Sequence, residues 1–223
     1  MSKTRIIKTL DGSDTLYRED IDETYHSRNG ALTESLHVFV GNGLEHHIEK
    51  NPQVRATSVL EVGFGTGLNA ALTCRFAAFA KRAVNYVSLE PFPVEEKVVN
   101  RINYFENDPE MRALFQDIHK APWELPWSAG GFTLIKRRVP LQDFATGDTF
   151  DVIYFDAFAP EKQPEMWTLD VMRQLHDLMN PGGVLTTYCA KGEFRRNLVA
   201  AGFAVQRLPG PPGKREMIRA EKI

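Results

Sequence analysis

Glu61-Val-Gly-Phe-Gly-Thr-Gly67 decides the reading of this chain. It follows the apolar run Ser58-Val59-Leu60 and precedes Leu68-Asn-Ala-Ala-Leu-Thr-Cys-Arg-Phe-Ala-Ala-Phe-Ala80, which reads as a helix. A glycine motif carries information when it joins a strand to a helix, and that is its context here. Gly63, Gly65 and Gly67 allow a sharp turn and let a ligand approach the backbone closely. Phe64 and Thr66 lie between the glycines and Asn69 follows them, and all three are candidate cofactor-binding residues.

Two residues separate the candidate ligands. The carboxylate of Glu61 precedes the turn, where it repels a pyrophosphate and attracts a cation. A dinucleotide turn needs a third small residue for close packing of helix on strand, and Leu68 stands there instead. Both point to S-adenosylmethionine (SAM), with its ammonium and sulfonium, rather than to NAD. Glu90 ends the next apolar run, Tyr86–Leu89. An acid there binds ribose hydroxyls in either class and does not discriminate.

At 223 residues the chain suits one large α/β domain. No apolar run reaches the length of a membrane span, and the start Met-Ser-Lys-Thr-Arg-Ile-Ile-Lys lacks the apolar core of a signal peptide. Cys74 and Cys189 are expected as buried thiols, and the cytoplasm as the compartment. The formal net charge is −2, yet Lys191–Ile223 carries eight basic against three acidic residues, a local +5. A basic end on an otherwise acidic chain suits a phosphate-binding face, or is simply a solvated surface.

Residues 1–50 read as an extension packed on a main domain of residues 51–223. The extension shows turns at Asp11-Gly12-Ser13, Asn29-Gly30 and Gly41-Asn-Gly43, with helices around 34–39 and 44–50. Strands are expected at 58–63, 84–89, 132–138, 150–155, 184–188, 204–208 and 216–220. Helices are expected at 68–80, 94–104, 109–119, 164–179 and 194–201. The Pro/Trp-rich stretch 121–131 reads as a loop, and Asn180-Pro-Gly-Gly183 as a turn. Repeated β-α units imply a mostly parallel twisted sheet wrapped by helices, and the helix-free link before the last strand makes that strand antiparallel. This is the α/β layout of a Rossmann-like SAM-dependent methyltransferase.

Asp156 ends the strand Phe150–Phe155. In such sheets ligands bind beyond the carboxyl ends of the strands, so Asp156 belongs to the same crevice as Gly63–Gly67 and Glu90. Phe158, Pro160, Pro164 and Trp167 follow and suit a rigid pocket for a planar base. A carboxylate there suits methyl transfer to an amine: it can hold the ammonium and help remove its proton. A turn cap before Pro160 is the plainer role.

Four ordered motifs then carry a resemblance: Glu61–Asn69, Ser88-Leu-Glu-Pro-Phe-Pro93, Asp156-Ala-Phe-Ala-Pro-Glu-Lys-Gln-Pro-Glu-Met-Trp167 and Gly213-Lys-Arg-Glu-Met217. Together they resemble the methyltransferase half of the MnmC family, and Tyr25–Gly30, Glu34-Ser35 and Val38-Phe39 extend the likeness through most of the chain. The resemblance implies methylation of the 5-aminomethyl group of wobble uridine in tRNA. It implies SAM held by Glu61, the turn Gly63–Gly67 and Glu90, with Asp156 at the reaction centre. It places Lys214 and Arg215 near the site or the tRNA backbone, and Glu34 among the substrate contacts. It also implies a stand-alone form, since no second glycine fingerprint marks the flavin oxidase of bifunctional relatives. In one place the chain departs: relatives place Gly-Asp after the third strand to contact adenine, and here Val139-Pro140 stands, with Asp143 three residues on.

The six histidines show no ligand spacing, so no metal site is expected, and His46-His47 read as surface residues. Trp123 and Trp127 read as packing residues, with base stacking as a second role. His26 is a candidate for the substrate cleft. The rival functions are a methyltransferase of another amine, an NAD-linked oxidoreductase and a non-catalytic RNA-binding module.

Overall fold

A computed structural model describes residues 4–223. The expectation for the start of the chain falls partly on residues 1–3, outside the described residues. Strands β1 (Thr4–Lys8), β2 (Asp14–Arg18) and β3 (Glu23–Thr24) form a small antiparallel sheet. Helix α1 (Ala31–Ser35) continues without a break into a π-helix (Leu36–Glu45) and α2 (His46–Lys50).

The expected turn at Gly41-Asn-Gly43 is therefore absent, because this helical rod packs on the main sheet. A Cβ on Gly43 would stand 3.0 Å from the Tyr154 ring and 3.1 Å from Thr186 Oγ1. The glycine provides close packing rather than a bend.

The main sheet begins with β4 (Ala56–Val62), which feeds α3 (Leu68–Ala80) through the glycine turn. β5 (Ala83–Leu89) follows, then α4 (Glu96–Val99), α5 (Pro109–Lys120), β6 (Pro126–Ala129) and β7 (Phe132–Arg137). β8 (Phe150–Phe155), α6 (Leu169–Asp177), β9 (Met179–Thr187), α7 (Gly192–Ala200), β10 (Phe203–Pro209) and β11 (Glu216–Lys222) complete it. The strand order is β10-β11-β9-β8-β4-β5-β7-β6. The four pairings from β9 through β8, β4 and β5 to β7 are parallel, and β11 is antiparallel to both its neighbours. The expected fold class holds. Central strands read as continuous apolar runs because helices cover both faces. One apolar cluster forms around Phe39, Phe115, Tyr86 and Tyr154, the other around Phe155, Trp167 and Phe194.

Four local expectations are corrected. The helix expected at 94–104 shrinks to Glu96–Val99. Tertiary bonds satisfy the backbone that a helix would have paired. Asn103 exchanges hydrogen bonds with Asp14, and the Arg112 guanidinium donates to the carbonyls of Asn100, Ile102 and Tyr104. The loop expected at 121–131 contains β6, joined to β7 by Gly130 at φ 57°. Pro126 is tolerated because β6 is an edge strand. The turn at 180–183 is a bulge within β9: Phe150 faces Met179 while Val152 faces Val184. The helix expected from Pro164 to Met179 starts as a single 3-10 turn (Pro164–Trp167) before α6. Cys74 and Cys189 are buried free thiols. Among the described residues no helix is long and apolar enough to cross a membrane.

Candidate active site

The carboxyl ends of β4, β5 and β8 are laced together by backbone bonds. Gly63 N–H and Phe64 N–H donate to Leu89 O at 3.0 and 3.2 Å, and Asp156 N–H donates to Val62 O at 3.0 Å. The glycine turn leaves this seam in left-handed geometry, with φ of 99° at Gly63, 51° at Gly65 and 73° at Gly67. Space forbids larger residues as well. A Cβ on Gly63 would lie 2.7 Å from Asp156 O, and one on Gly67 would lie 2.8 Å from His119 Nε2. His119 supports the turn from behind by donating from Nε2 to Thr66 O at 2.9 Å, and its burial pushes the imidazole pKa down to about 4.

Above this seam lies a cavity of about 880 Å³. Its walls include Gly63, Phe64, Gly65, Thr66, Asn69 and Glu90 from the expected set, and also Asp156, Glu34, Lys214 and His26. Its volume is in the range of small-molecule sites. The Glu90 carboxylate accepts from Gly65 N–H at 3.0 Å and Phe92 N–H at 2.9 Å, which fixes an acceptor at the end of β5. Thr66 Oγ1 and Asn69 Oδ1 are buried without hydrogen-bond partners. A cradle of three left-handed glycines with unpaired polar atoms beside it fits a polar ligand such as SAM.

Glu61 takes a different place from the one expected. Its side chain is 0 % exposed and does not line the cavity; Ser88 Oγ donates to it from β5. Burial raises its pKa to about 8, and the neighbouring Asp156 adds to the rise. It lies beneath the cavity floor, held from β5. Arg215 is exposed and outside the walls, as is Asp143. Where Asp143 was the candidate for the adenine side, the wall there is Val139, Pro140, Leu141 and Gln142. Of the aromatics and prolines after β8, only Phe158 reaches the cavity. Trp167 is buried behind it and donates from Nε1 to Phe158 O at 2.8 Å, so it anchors the loop.

Asp156 lines the same cavity directly beside the cradle. Asn69 Nδ2 donates to Asp156 Oδ2 at 2.9 Å, so α3 and β8 meet there. Burial raises the Asp156 pKa to about 8; Glu34 pushes it further up, and Asn69 and Lys214 oppose the rise. Glu34 is 5 % exposed and accepts from Ser27 N–H at 2.7 Å and from Lys214 Nζ at 2.6 Å. The Lys214 ammonium also lies 3.7 Å from the centre of the Tyr188 ring. The Tyr188 hydroxyl donates to Ala157 O at 2.8 Å and fixes that ring.

Sequence reasoning missed Tyr188, Tyr25 and Arg18, which all line the cavity. Tyr25 packs edge-on against Phe158, with ring centres 5.2 Å apart, and Arg18 lies over Phe158 at 6.0 Å. Tyr25 stands within the stretch 25–30 that carried the resemblance, whereas Arg18 and Tyr188 had no such signal.

Other readings also change. His47 is buried, with both ring nitrogens unpartnered, rather than a surface residue. Trp123 packs against the Lys136 ammonium at 5.0 Å and Arg138 at 5.1 Å. Among the described residues no group of three His, Cys, Asp or Glu side chains is placed to hold a metal.

Comparison with known proteins agrees with this geometry. Residues 131–223 match a family described as S-adenosyl-L-methionine-dependent methyltransferase. A tRNA 5-methylaminomethyl-2-thiouridine biosynthesis bifunctional protein MnmC of Ectopseudomonas mendocina is 34% identical over 216 residues, covering 88% of this chain and 32% of that protein. The MnmC of Dichelobacter nodosus is 32% identical over 92% of this chain and 34% of its own length. The chain thus spans about a third of the length of these relatives. The crystal structure of MnmC2 from Aquifex aeolicus superposes with a TM-score of 0.82 at 25% identity, covering 99% of this chain and 70% of that one. Sheet order, glycine cradle and sequence likeness converge: over most of its length the chain is similar to the methyltransferase part of MnmC proteins, and it shares the Rossmann-like sheet of MnmC2.

Proposed function

We propose that this chain methylates the primary amine of 5-aminomethyl-uridine at the wobble position of tRNA, with SAM as methyl donor. The observation that carries the proposal is a single cavity lined both by the glycine cradle and by Asp156, which is hydrogen-bonded to Asn69 of that cradle. In this reading Gly63, Phe64, Gly65, Thr66, Gly67, Asn69 and Glu90 hold SAM, with Glu61 behind them. Asp156, Glu34 and Lys214 receive the amine. Residues 1–50 act as an extension on the 51–223 domain, and their Arg18 and Tyr25 help to close the cavity. A protein working on tRNA in this way belongs in the cytoplasm.

When bound, SAM supplies an electrophilic methyl on a sulfonium and leaves as the neutral thioether. The residues of the chain prepare the acceptor. Asp156 holds the incoming ammonium by charge and hydrogen bonding, which orients nitrogen towards the cradle. It then takes one ammonium proton so that nitrogen presents a lone pair. Asn69, bonded to Asp156 and adjoining the turn, links the cradle to the amine-facing wall.

The test is purified protein with SAM and tRNA bearing 5-aminomethyl-uridine, followed by mass analysis of the nucleosides. Gain of one methyl group on that nucleoside supports the reading. Methylation of a free small amine but not of tRNA favours the small-molecule rival. Calorimetric binding of NAD with none of SAM overturns both.

A further inference from the structure

We propose that Lys214 is a positioning residue that sets the protonation of the amine site: its fixed cation, held on Glu34 and the face of Tyr188, drives a proton off the substrate ammonium and Asp156 pair. The inference rests on the amine-methylating function proposed above.

The geometry is unusual for a lysine on a basic segment. Lys214 comes from the loop between β10 and β11, next to the exposed Arg215. Its ammonium nevertheless points inward, 2.6 Å from a carboxylate that is itself 5 % exposed. An ammonium that only contacted tRNA phosphates would stay in solvent. The aromatic face at 3.7 Å and the hydrogen-bonded Tyr188 hydroxyl hold it there. Gly213, at φ 83°, sets the path of the loop against Asn29, where a Cβ would overlap the amide.

The chemistry gives that charge a use. An alkylammonium ordinarily keeps its proton at neutral pH and so has no lone pair to offer. Asp156 alone makes this worse, because an anion stabilises the ammonium. A nearby fixed cation favours loss of a proton from the pair, whichever member carries it. The charged and titratable groups near this point are Glu34, Asp156 and Lys214, with His26 buried alongside, Glu61 next to Asp156 on β4, and the Cys189 thiol within reach of the Lys214 charge. His26 is held neutral by burial, its pKa down to about 4, and it feels both Glu34 and Lys214. Tyr188 stays protonated, its pKa pushed well up by burial. Asp156 responds to both members of the ion pair: Glu34 raises its pKa and Lys214 lowers it. Glu34 and Lys214 therefore oppose each other at the reacting nitrogen, and their removal has opposite consequences.

The test is the pH profile of kcat on 5-aminomethyl-uridine tRNA for wild type, Lys214→Met, Glu34→Gln and Lys214→Arg. Lys214→Met is expected to move the acid limb up by about one pH unit, and Glu34→Gln to move it down. Such a shift makes Lys214→Met about tenfold slower near neutrality and restores its rate at higher pH. Lys214→Arg keeps the wild-type limb, and KM for tRNA stays within a few-fold throughout. Carboxyl NMR of Asp156 without SAM or tRNA is a second readout, with its midpoint moving in the same two directions. Limbs and midpoints that stay put, or shift the same way in both variants, overturn the proposal. So does a loss in Lys214→Met that appears as raised KM with a shallower salt slope, which marks a phosphate contact. If Lys214→Met does not fold, Glu34→Gln and Lys214→Arg decide alone. A wild type that methylates no tRNA removes the underlying function, whereas an active wild type with unshifted variants removes only the role of Lys214.

Discussion

The cradle and the amine-facing wall of the cavity adjoin at Asn69 but are built in different ways. The cradle comes from one contiguous stretch, Gly63–Asn69, plus Glu90 at the next strand end. Its conformation is enforced locally by left-handed glycines and the seam of backbone bonds between β4, β5 and β8. The amine-facing wall gathers Glu34, Asn69, Asp156, Tyr188 and Lys214, and its ion pair joins residues 180 positions apart. The first is a backbone device and the second a side-chain device. They should fail differently when mutated: the cradle in binding, the amine-facing wall in rate.

The largest effect is expected at Asp156. Asp156→Ala removes the group proposed to hold and deprotonate the amine, at a cost of ~100- to 10,000-fold in single-turnover rate. SAM affinity by calorimetry should change little, because the glycine seam uses the Asp156 backbone and not its carboxylate. A variant within a few-fold of wild type would make Asp156 a turn cap. Collapse of SAM binding as well would erase the division between cradle and wall.

The cradle is tested by Gly63→Val. Its Cβ would meet the backbone carbonyl of Asp156 at 2.7 Å, on a residue at φ 99°. Neither contact can be relieved by a rotamer, and strain of this kind costs ~1–3 kcal/mol, so SAM should bind ~10- to 100-fold more weakly. Gly65→Val should be milder, since the atom it meets at 3.0 Å is the movable Tyr25 ring. Equal losses at the two positions would show that approach of the ligand, not backbone geometry, is the constraint.

This contrast also explains what the sequence made legible. Alternating strands and helices, the glycine turn and Asp156 at a strand end are local patterns, and the fold class followed from them. Glu61 was misplaced because its position in the chain does not reveal its direction: alternation along β4 aims it beneath the floor, against Ser88. Gly41-Asn-Gly43 looked like a turn because small residues for close packing and for bending are identical in sequence. The short helix at 96–99 was overestimated because the competing hydrogen bonds come from outside it, from Asp14, 89 positions from its partner Asn103, and from Arg112 on the next helix. Tyr188 carried no local signal: it lines the site only because β9 lies beside β8.

The buried titratable groups make the two parts visible in stability. Burial raises the Glu61 and Asp156 carboxyls to about 8, so the folded state keeps protons that the unfolded chain loses near 4. Stability from these groups is present at low pH and falls as pH rises through that window. His26 and His119 are pushed down to about 4, so the unfolded chain binds protons first, below about 6.5. Their contribution falls as pH drops from about 6.5 to 4. The two opposing slopes cancel between about pH 4.5 and 6.5, so the ligand-free protein should melt highest across that plateau and lose ~5 °C or more by pH 8. Asp156→Asn should lessen the alkaline fall, with Glu61 carrying the rest; an unchanged melting curve would mean its carboxyl is ionised in the free protein.

The smallest effect concerns tRNA docking outside the cavity, and the structure narrows it. The basic C-terminal stretch is not one surface: Lys214 points into the site, Arg207 pairs with Glu216, and Lys222 donates to carbonyls of His176 and Met179. Lys191 is paired with Glu161. Arg215 stays exposed on the loop between β10 and β11, and Arg195 and Arg196 are exposed cations on α7, whose Phe194 and Leu198 are buried against the sheet. That helix follows the Tyr188 strand end, so tRNA seated at the cavity mouth would pass near it. Each phosphate contact releases counterions, and losing one should shallow the slope of log affinity against log salt by ~0.7–0.9. The double variant Arg195→Glu with Arg196→Glu should weaken tRNA binding and flatten that slope, leaving SAM affinity and saturated kcat near wild type. Filter binding across a salt series measures it. A slope identical to wild type would move the docking face to the N-terminal side, where Arg28 is exposed.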